Sequence, residues 1–506
     1  MTRTPLNYLL LCGDQLFPLA HLQRDFAAQQ NLQIVMVEDA ALCERRPYHQ
    51  QKLTLVLAAM RSHARALEDS GYQVHYRNLS QQQSLAETLT ELPGLAGQTL
   101  LGYQPHSRGQ RRWIEQACSQ AGCAWQPAPS PYFLTDSDTF TALAGARLPL
   151  QMGRFYKAQR QRLEVLLTAD GAPQGGRWSF DEDNRRKFPK RQTAPELPAA
   201  KHTADSRAIV TATATEIAER YPDSMGDAHA LWLPTDRAGA LAWLQCFLHE
   251  RLVGFGTYED AISQRSWSLF HSTLSPLINV GLLPPAEVLQ AVLDFADKHA
   301  VPDNDLEGFV RQLIGWREFV GGVYQQHGAA MRSSNSRNQT RRMLPSWHQG
   351  RLDIPPFDDA IATLKSSGWN HHIDRLMVIA NLMNLAMIEP DEVFEFFMTY
   401  YIDAYDWVMV PNVYGMGLNS DDNTFATKPY ICGSNYWLKM SDYSKGPWCD
   451  VVDGLYWRFV DRHREALASN PRTAMMPRNL DRLRGERKQT IFAAAAAFLE
   501  QHTASP

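Results

Sequence analysis

Cysteine is scarce in this chain: seven residues among 506, odd in number and scattered along the sequence. That distribution argues against a disulfide framework and fits reduced thiols in a cytoplasm. No stretch approaches the roughly 20 apolar residues that a membrane helix needs. The N-terminus runs straight into a strand-like segment without a small-residue cleavage pattern, so no secretory signal is expected. Neither sign of charge is in excess, with 50 basic and 54 acidic residues and a net charge of −4. The whole chain is therefore no generic polyanion binder, and any nucleic-acid contact must come from local basic patches. Also missing are the GxGxxG, Walker-loop, HExxH and zinc-ligand spacings. No internal repeat is evident.

What is present is length enough for two domains and 44% hydrophobic residues to build their cores. Residues 7–12 and 32–37 read as buried strands, and 73–76 and 99–103 as further short ones. Between them, Lys52 to Glu68 carries Leu53, Leu57, Met60, Ala64 and Leu67 at helical spacing. Strands alternating with helices predict a Rossmann-like α/β domain with a parallel sheet over residues 1–130. Ligands of such sheets sit at the carboxyl ends of the strands, which points to Gly13-Asp14-Gln15 and to Glu38-Asp39. Residues 131–235 read as an interdomain connector, opened by a Pro-rich piece at 126–131. It carries a few helices, such as Met152 to Leu167, and a basic run from Asn184 to Arg191. From 236 to 506 the pattern is helix after helix, with no β periodicity, and predicts an all-α second domain.

Two segments of that helical part carry unusual polarity. One is Leu306 to Phe319, with Arg311, Gln312, Arg317 and Glu318; the other is Trp369 to Met377, with His371, His372 and Arg375. These groups cannot all be buried on apolar helices without partners. Ordinary salt bridges between core helices are one account; a polar pocket for a large planar cofactor with a phosphate tail is the other.

A family resemblance favours the second. His271, Ser272, Thr273, Leu274, Ser275 and Pro276, followed by Asn279 and Gly281, resemble the Ser-x-Leu-Ser-Pro signature of the photolyase/cryptochrome family. Trp316-Arg317-Glu318-Phe319 resembles the family's Trp-Arg-Glu-Phe helix. His371-His372-x-x-Arg375 resembles the His-His-x-x-Arg of the (6-4) branch. Gly13-Asp14-Gln15-Leu16, Lys52 with Ala59-Met60-Arg61, Phe155-Tyr156, and Pro173 through Arg185 resemble the prokaryotic group that usually carries an iron–sulfur cluster.

The resemblance implies FAD in the helical domain, lined by Tyr258, Ser272, Leu274, Ser275, Arg311, Gln312, His372, Arg375, Asn381, Asp403 and Tyr405. It implies light-driven electron transfer from reduced FAD to a flipped-out lesion in damaged DNA. His372 would be the proton donor, with His371 and Tyr430 in the lesion pocket. The basic loop Ser336–Arg342 would lie near DNA phosphates. A 6,7-dimethyl-8-ribityllumazine antenna would sit among Gly13, Asp14, Gln15, Glu38 and Lys52. The protein is expected to be a cytoplasmic monomer.

The chain departs from that group in places. Three of the four cluster cysteines fall on Pro356, Ser444 and Pro447, and only Cys449 remains, so no iron–sulfur cluster or other metal is expected. Two relay tryptophans fall on Phe396 and His348, with Trp347, Tyr405, Trp407, Tyr436 and Trp437 as substitutes whose positions sequence cannot give. A usual arginine is Thr273, and a usual Asp-Gly-Gly is Asp421-Asp422-Asn423. A cryptochrome-like blue-light receptor without repair activity is the alternative these changes leave open.

Overall fold

The computed structural model describes residues 6–145, 147–426 and 428–505. Five strands form one parallel sheet: β1 (Asn7–Leu10), β2 (Leu32–Val37), β3 (Gln73–Arg77), β4 (Thr99–Tyr103) and β5 (Ala124–Ala128), in the order β3-β2-β1-β4-β5. Side-chain alternation feeds two separate cores. Leu9, Ile34 and Met36 face one side with Leu53, Leu57 and Met60 of the Gln50–Asp69 helix. Tyr8, Leu10, Val35, Val37 and Leu100 face the other, against Leu85, Leu89 and Ile114. Both faces of the central strands are thus covered, which is why they read as unbroken apolar runs.

The Pro-rich piece assigned to the connector needs correcting. Gln126, Pro127 and Ala128 belong to β5, paired with β4 from Thr99 to Tyr103. Pro127 is tolerated because β5 is an edge strand with no further neighbour to receive its missing N–H. Further on, the Ala204–Arg220 helix packs on the Gln50–Asp69 helix, where Arg61 reaches Glu216 at 2.7 Å.

Helices fill the second half. Asp303–Val310, a π-helical turn at Arg311–Arg317 and Glu318–Arg332 run on continuously, as do a π-helical Asp374–Ala380 and Asn381–Leu385. The expectation of no β structure here fails in one place. Arg342–Met343 pairs antiparallel with Thr503–Ala504 and clips the end of the last long helix, Gly485–His502, to the body. Two-residue strands are too short to show a period-two pattern.

The two parts are joined by backbone-directed bonds. Leu16 donates its N–H to the carbonyl of Val280 at 3.0 Å, and Gly281, at φ +93°, lets that turn approach. Lys52 donates through Nζ to the carbonyls of Met398 at 2.7 Å and Ala404 at 2.9 Å. Arg317 lies over the rings of Tyr132, Phe133 and Trp407 at 4.6–4.7 Å. No described helix is long and apolar enough to cross a membrane.

The Trp448–Arg462 and Gly485–His502 helices meet at Gly454, where an added Cβ would lie 1.9 Å from the carbonyl oxygen of Ile491. Backbone cannot yield as a side chain does. Gly454→Ala is expected to cost about 3 kcal/mol of stability, read as a lower denaturant midpoint of the helical part; an unchanged midpoint would refute the close approach.

Candidate functional site

Three segments converge: the His271–Ser275 loop, the stretch from Trp369 to Arg375, and Asp403. Pro276 starts the short helix Ser275–Asn279, so the preceding loop must turn sharply, and Thr273 takes φ +55° to do it. Its hydroxyl accepts from Trp243 Nε1 at 3.1 Å and donates to the carbonyl of Ser272. The helix geometry around the site is equally unusual. Both segments singled out for their polarity contain π-helical turns, Arg311–Arg317 and Asp374–Ala380, a form that recurs at functional sites.

Arg375 is the hub. Its guanidinium makes a two-pronged pair with Asp403 at 2.8 and 3.0 Å, and its Nε donates to the carbonyl of Asn370 at 2.7 Å. It also lies over Tyr401 at 4.3 Å and Trp369 at 5.6 Å. Ser275 donates to the same Asp403 carboxylate at 2.6 Å, and Asn279 donates to its backbone carbonyl at 2.9 Å. Arg375, Asp403 and Ser275 are thus brought together as expected of one site. Trp369 opens an aromatic cluster, with ring centroids 5.7 Å to Trp267 and 6.4 Å to Trp232, itself 5.8 Å from Trp243.

Beside this hub lie three imidazoles. His271 and His371 stack at 4.7 Å, nearly parallel, and the ligand nitrogens of His271, His371 and His372 all lie within 4.8 Å of one another. Burial pushes His271 and His371 well below the usual imidazole range, helped by neighbouring positive charge, so both are neutral at pH 7. Asp374 is pushed up to about 7 by burial, against the pull of the His372 and Arg375 charges. His371 Nε2 lies 3.2 Å from the Asp374 carboxyl, and with the ring neutral this contact is not a full ion pair. His372 differs. Its side chain is 45% exposed, and its Nε2 sits 3.4 Å from Asp260. Desolvation opposes its charge, but its hydrogen bond to the Asp260 carboxylate and the charges of Glu259 and Asp260 outweigh it, and its pKa is raised.

Arg311 and Gln312 sit in an adjoining network. Arg311 meets Asp181 at 3.1 Å, Glu259 at 3.2 Å and Glu307 at 3.3 Å, and Gln312 donates to Glu259. Tyr258 meets Phe188 edge-on at 5.4 Å and Phe270 at a tilt at 5.3 Å, and donates to Gln192 at 2.8 Å. Part of the basic run from Asn184 to Arg191 is folded into this wall: Phe188 is buried, Asn184 donates to Glu259 at 2.9 Å, and Arg185 pairs with Asp181 at 2.5 Å. Tyr430 is half-buried and feels the charges of Asp181 and Arg185.

Other expected residues are placed differently. Asn381 clamps the backbone of Cys432, accepting at 3.0 Å and donating at 3.2 Å, and Leu274 is core. Ser272 Oγ accepts only a long bond, 3.4 Å, from the N–H of Leu274, and Tyr405 precedes the Asp406–Val410 helix. In the basic loop, Arg337 donates to Asn419, Arg341 to Thr503, and Arg342 pairs with Glu389 and Glu392. Arg337 and Arg341 are thus engaged internally, whereas Arg342 is 61% exposed and its pairs are long, 3.6 and 3.7 Å. Asp260, Glu259 and Asp374 were missed as site residues; they adjoin Tyr258 and Arg375 in sequence, which was the available signal.

At the sheet, Glu38 accepts from both ends of the Arg61 fork at 2.7 Å, from Tyr76 and from the Leu79 N–H, while Lys52 is held by the two carbonyls named above. Gln15 bridges Cys12 and Tyr103. A Cβ on Gly13 would sit 2.8 Å from Val56, and Asp14, pushed up to about 6 by burial, accepts from Gln110 at 2.7 Å. Gln110 lies between Gly109 and Arg111, which line a cavity of about 720 Å³ with Arg45, Arg108, Arg112 and Tyr324. This cavity lies at the sheet's carboxyl edge and not at the histidines.

A parallel sheet followed by a helical body with this polar centre defines the photolyase architecture, and comparison bears that out. The chain is similar to a bacterial class III photolyase from Agrobacterium tumefaciens, with a TM-score of 0.58 at 16% identity over 99% of both chains. An archaeal photolyase from Sulfolobus tokodaii, solved with two FAD molecules, gives 0.54 at 13% identity over 97% of this chain and 100% of that one. Residues 9–232 match the model of the deoxyribodipyrimidine photo-lyase-related proteins. The chain is 31% identical to a (6-4) photolyase of Agrobacterium fabrum, over 97% of its own length and 99% of that protein. It therefore belongs to the photolyase family.

The Asp374 carboxyl carries a measurable consequence. It titrates near 3.9 when unfolded but near 7 when buried, so the folded state binds the extra proton between those values. Stability should fall as pH rises from about 4 to about 7, and Asp374→Asn should flatten that slope. Denaturant midpoints across this range check it; equal slopes in both proteins would place the titration elsewhere.

Proposed function

We propose that the protein is a light-driven DNA-repair flavoprotein of the (6-4) photolyase type. The observation that carries this reading is the asymmetry of the imidazole cluster: two neutral, buried rings beside one that is part-exposed and whose charged form Asp260 favours. A solvent-facing imidazolium beside a polar centre is suited to handing a proton to a base that enters from outside. Its Nε2–H is directed at Asp260, which leaves Nδ1–H for the incoming base. His371, fixed by Asp374, holds the stack that orients the cluster.

The donors of the centre fit a flavin dinucleotide. Arg375 and the hydroxyls of Ser272 and Ser275 suit ring and phosphate oxygens, and polar atoms at Arg251 and His271 are orphaned among the described residues, which calls for a further partner. FAD, when bound and reduced, supplies the light-driven electron. The aromatic cluster at Trp369, reaching half-exposed Trp232 and Trp267, offers the centre an electron supply in place of the relay positions taken by Phe396 and His348. At the sheet, Glu38 and Lys52 are internally engaged, so Asp14 and the adjoining cavity are the better antenna candidates.

The cysteines do not fit a four-iron cluster, which needs four thiolates. Among the described residues the only group of three or more convergent metal-ligand side chains is the histidine cluster. Purified protein is expected to carry no acid-labile sulfide; stoichiometric iron and sulfide would overturn this.

A second reading, a blue-light receptor without repair, is favoured by the relay positions: His348 and Phe396 pack 5.6 Å apart in place of a redox-active pair. Repair of a (6-4)-lesion oligonucleotide under blue light, with the flavin chemically pre-reduced, separates the two. Light-dependent restoration is expected, falling at least about 100-fold in His372→Ala and declining as pH rises through the raised His372 pKa. Asp260→Asn should move that decline to lower pH. No repair with reduced FAD bound leaves the receptor.

A further inference from the structure

Arg251 is the most anomalous charged residue in the protein. Its side chain is fully buried, and Nε, Nη1 and Nη2 all lack a hydrogen-bond partner among the described residues. No carboxylate pairs with it there. Other buried arginines show what the chain does when the guanidinium is structural. Arg160, equally buried, donates to the carbonyls of Val165, Leu166 and Trp178. Arg311 meets three carboxylates, and Arg375 is forked onto one. A buried cation left unpaired is strongly unfavourable. Arg251 follows the last turn of the Arg237–Glu250 helix, a place that favours positive charge, yet the terminal carbonyls do not accept from it.

Its placement says what could satisfy it. Trp243, Phe247 and Arg251 are spaced four apart and so share one helix face. Trp243 on that face bonds Thr273 in the His271–Ser275 loop. Phe247 packs on Phe255, whose ring lies 6.0 Å from His271. The Arg251 charge is felt by His271, and the Nε2 of His271 is itself buried without a partner. Two orphaned polar groups, close enough for the charge of one to shift the other, therefore lie near a loop whose Ser272 hydroxyl makes only a long bond.

We propose that Arg251 is the counter-ion for the diphosphate of the dinucleotide held in the helical body, with His271 as its second contact. This rests on the flavin reading above. A guanidinium fork matches phosphate oxygens in geometry and charge, and the anion would remove the penalty of burying the cation. The ligand class is then set by phosphate as well as by the ring system, so that binding should rank FAD above riboflavin by charge.

The test compares FAD, FMN and riboflavin binding by flavin fluorescence in wild type, Arg251→Met and Arg251→Lys, with melting of each ligand-free protein. Arg251→Met is expected to weaken FAD by about 10- to 100-fold and leave riboflavin unchanged. Arg251→Lys, which keeps the charge but not the fork, should fall between. Ligand-free Arg251→Met should melt at or above wild type, because an unpaired buried charge has been removed. FAD affinity unchanged in Arg251→Met would overturn the assignment. So would equal weakening of riboflavin with a lower ligand-free melting point, which marks a structural arginine; should Arg251→Met not fold, Arg251→Lys binding FAD as wild type does would serve as refutation. Wild type that binds no flavin would overturn the flavin reading itself, and this assignment with it.

Discussion

The fork of Arg375 on Asp403 organises the centre of the molecule. Through Asp403 it fixes Ser275 and Asn279 of the signature loop; through Arg375 it fixes the carbonyl of Asn370 and the rings of Trp369 and Tyr401. A buried pair of this kind is held less for stability than for geometry, since two desolvated charges roughly cancel what their attraction gains. Removing either partner strands the other, so the loop, the histidine segment and Asp403 move as one unit.

Around that fork the protein sorts its ionisable groups by solvent access. His271 and His371 are buried and neutral, Asp374 is pushed up to about 7 beside them, and at His372, on the lip, Asp260 favours the charged form. Three chemically identical rings thus take on different roles from burial and one carboxylate. Arg251 extends the same logic inward, as a charge whose partner has to arrive with the ligand.

The same economy appears at the boundary between sheet and helices. The Gly13-Asp14-Gln15-Leu16 turn, expected as a ligand site, also docks onto Val280 beside the signature loop, and Lys52 ends on carbonyls of the helical part. A motif residue can be fixed by docking between parts as readily as by ligand contact. Sequence spacing alone does not tell the two apart.

Much was legible in the sequence because it depends on local periodicity. The sheet, the helical body, the polar runs at Arg311–Glu318 and His371–Arg375, and the choice of Arg375 and Asp403 as candidate residues follow from spacing or from family motifs, whereas the pairing of those two does not. Strand β5 was missed because its Pro127 is permitted only by an edge position, and strand order is a tertiary fact. The Asp260–His372 pair, the internal use of Arg337 and Arg341 and the isolation of Arg251 were hidden for the same reason. What a charged side chain does depends on its partners and its distance from water. Residues far apart in sequence set both, so the chain's pattern named the polar groups while packing decided which are neutral, which are paired and which still wait for a ligand.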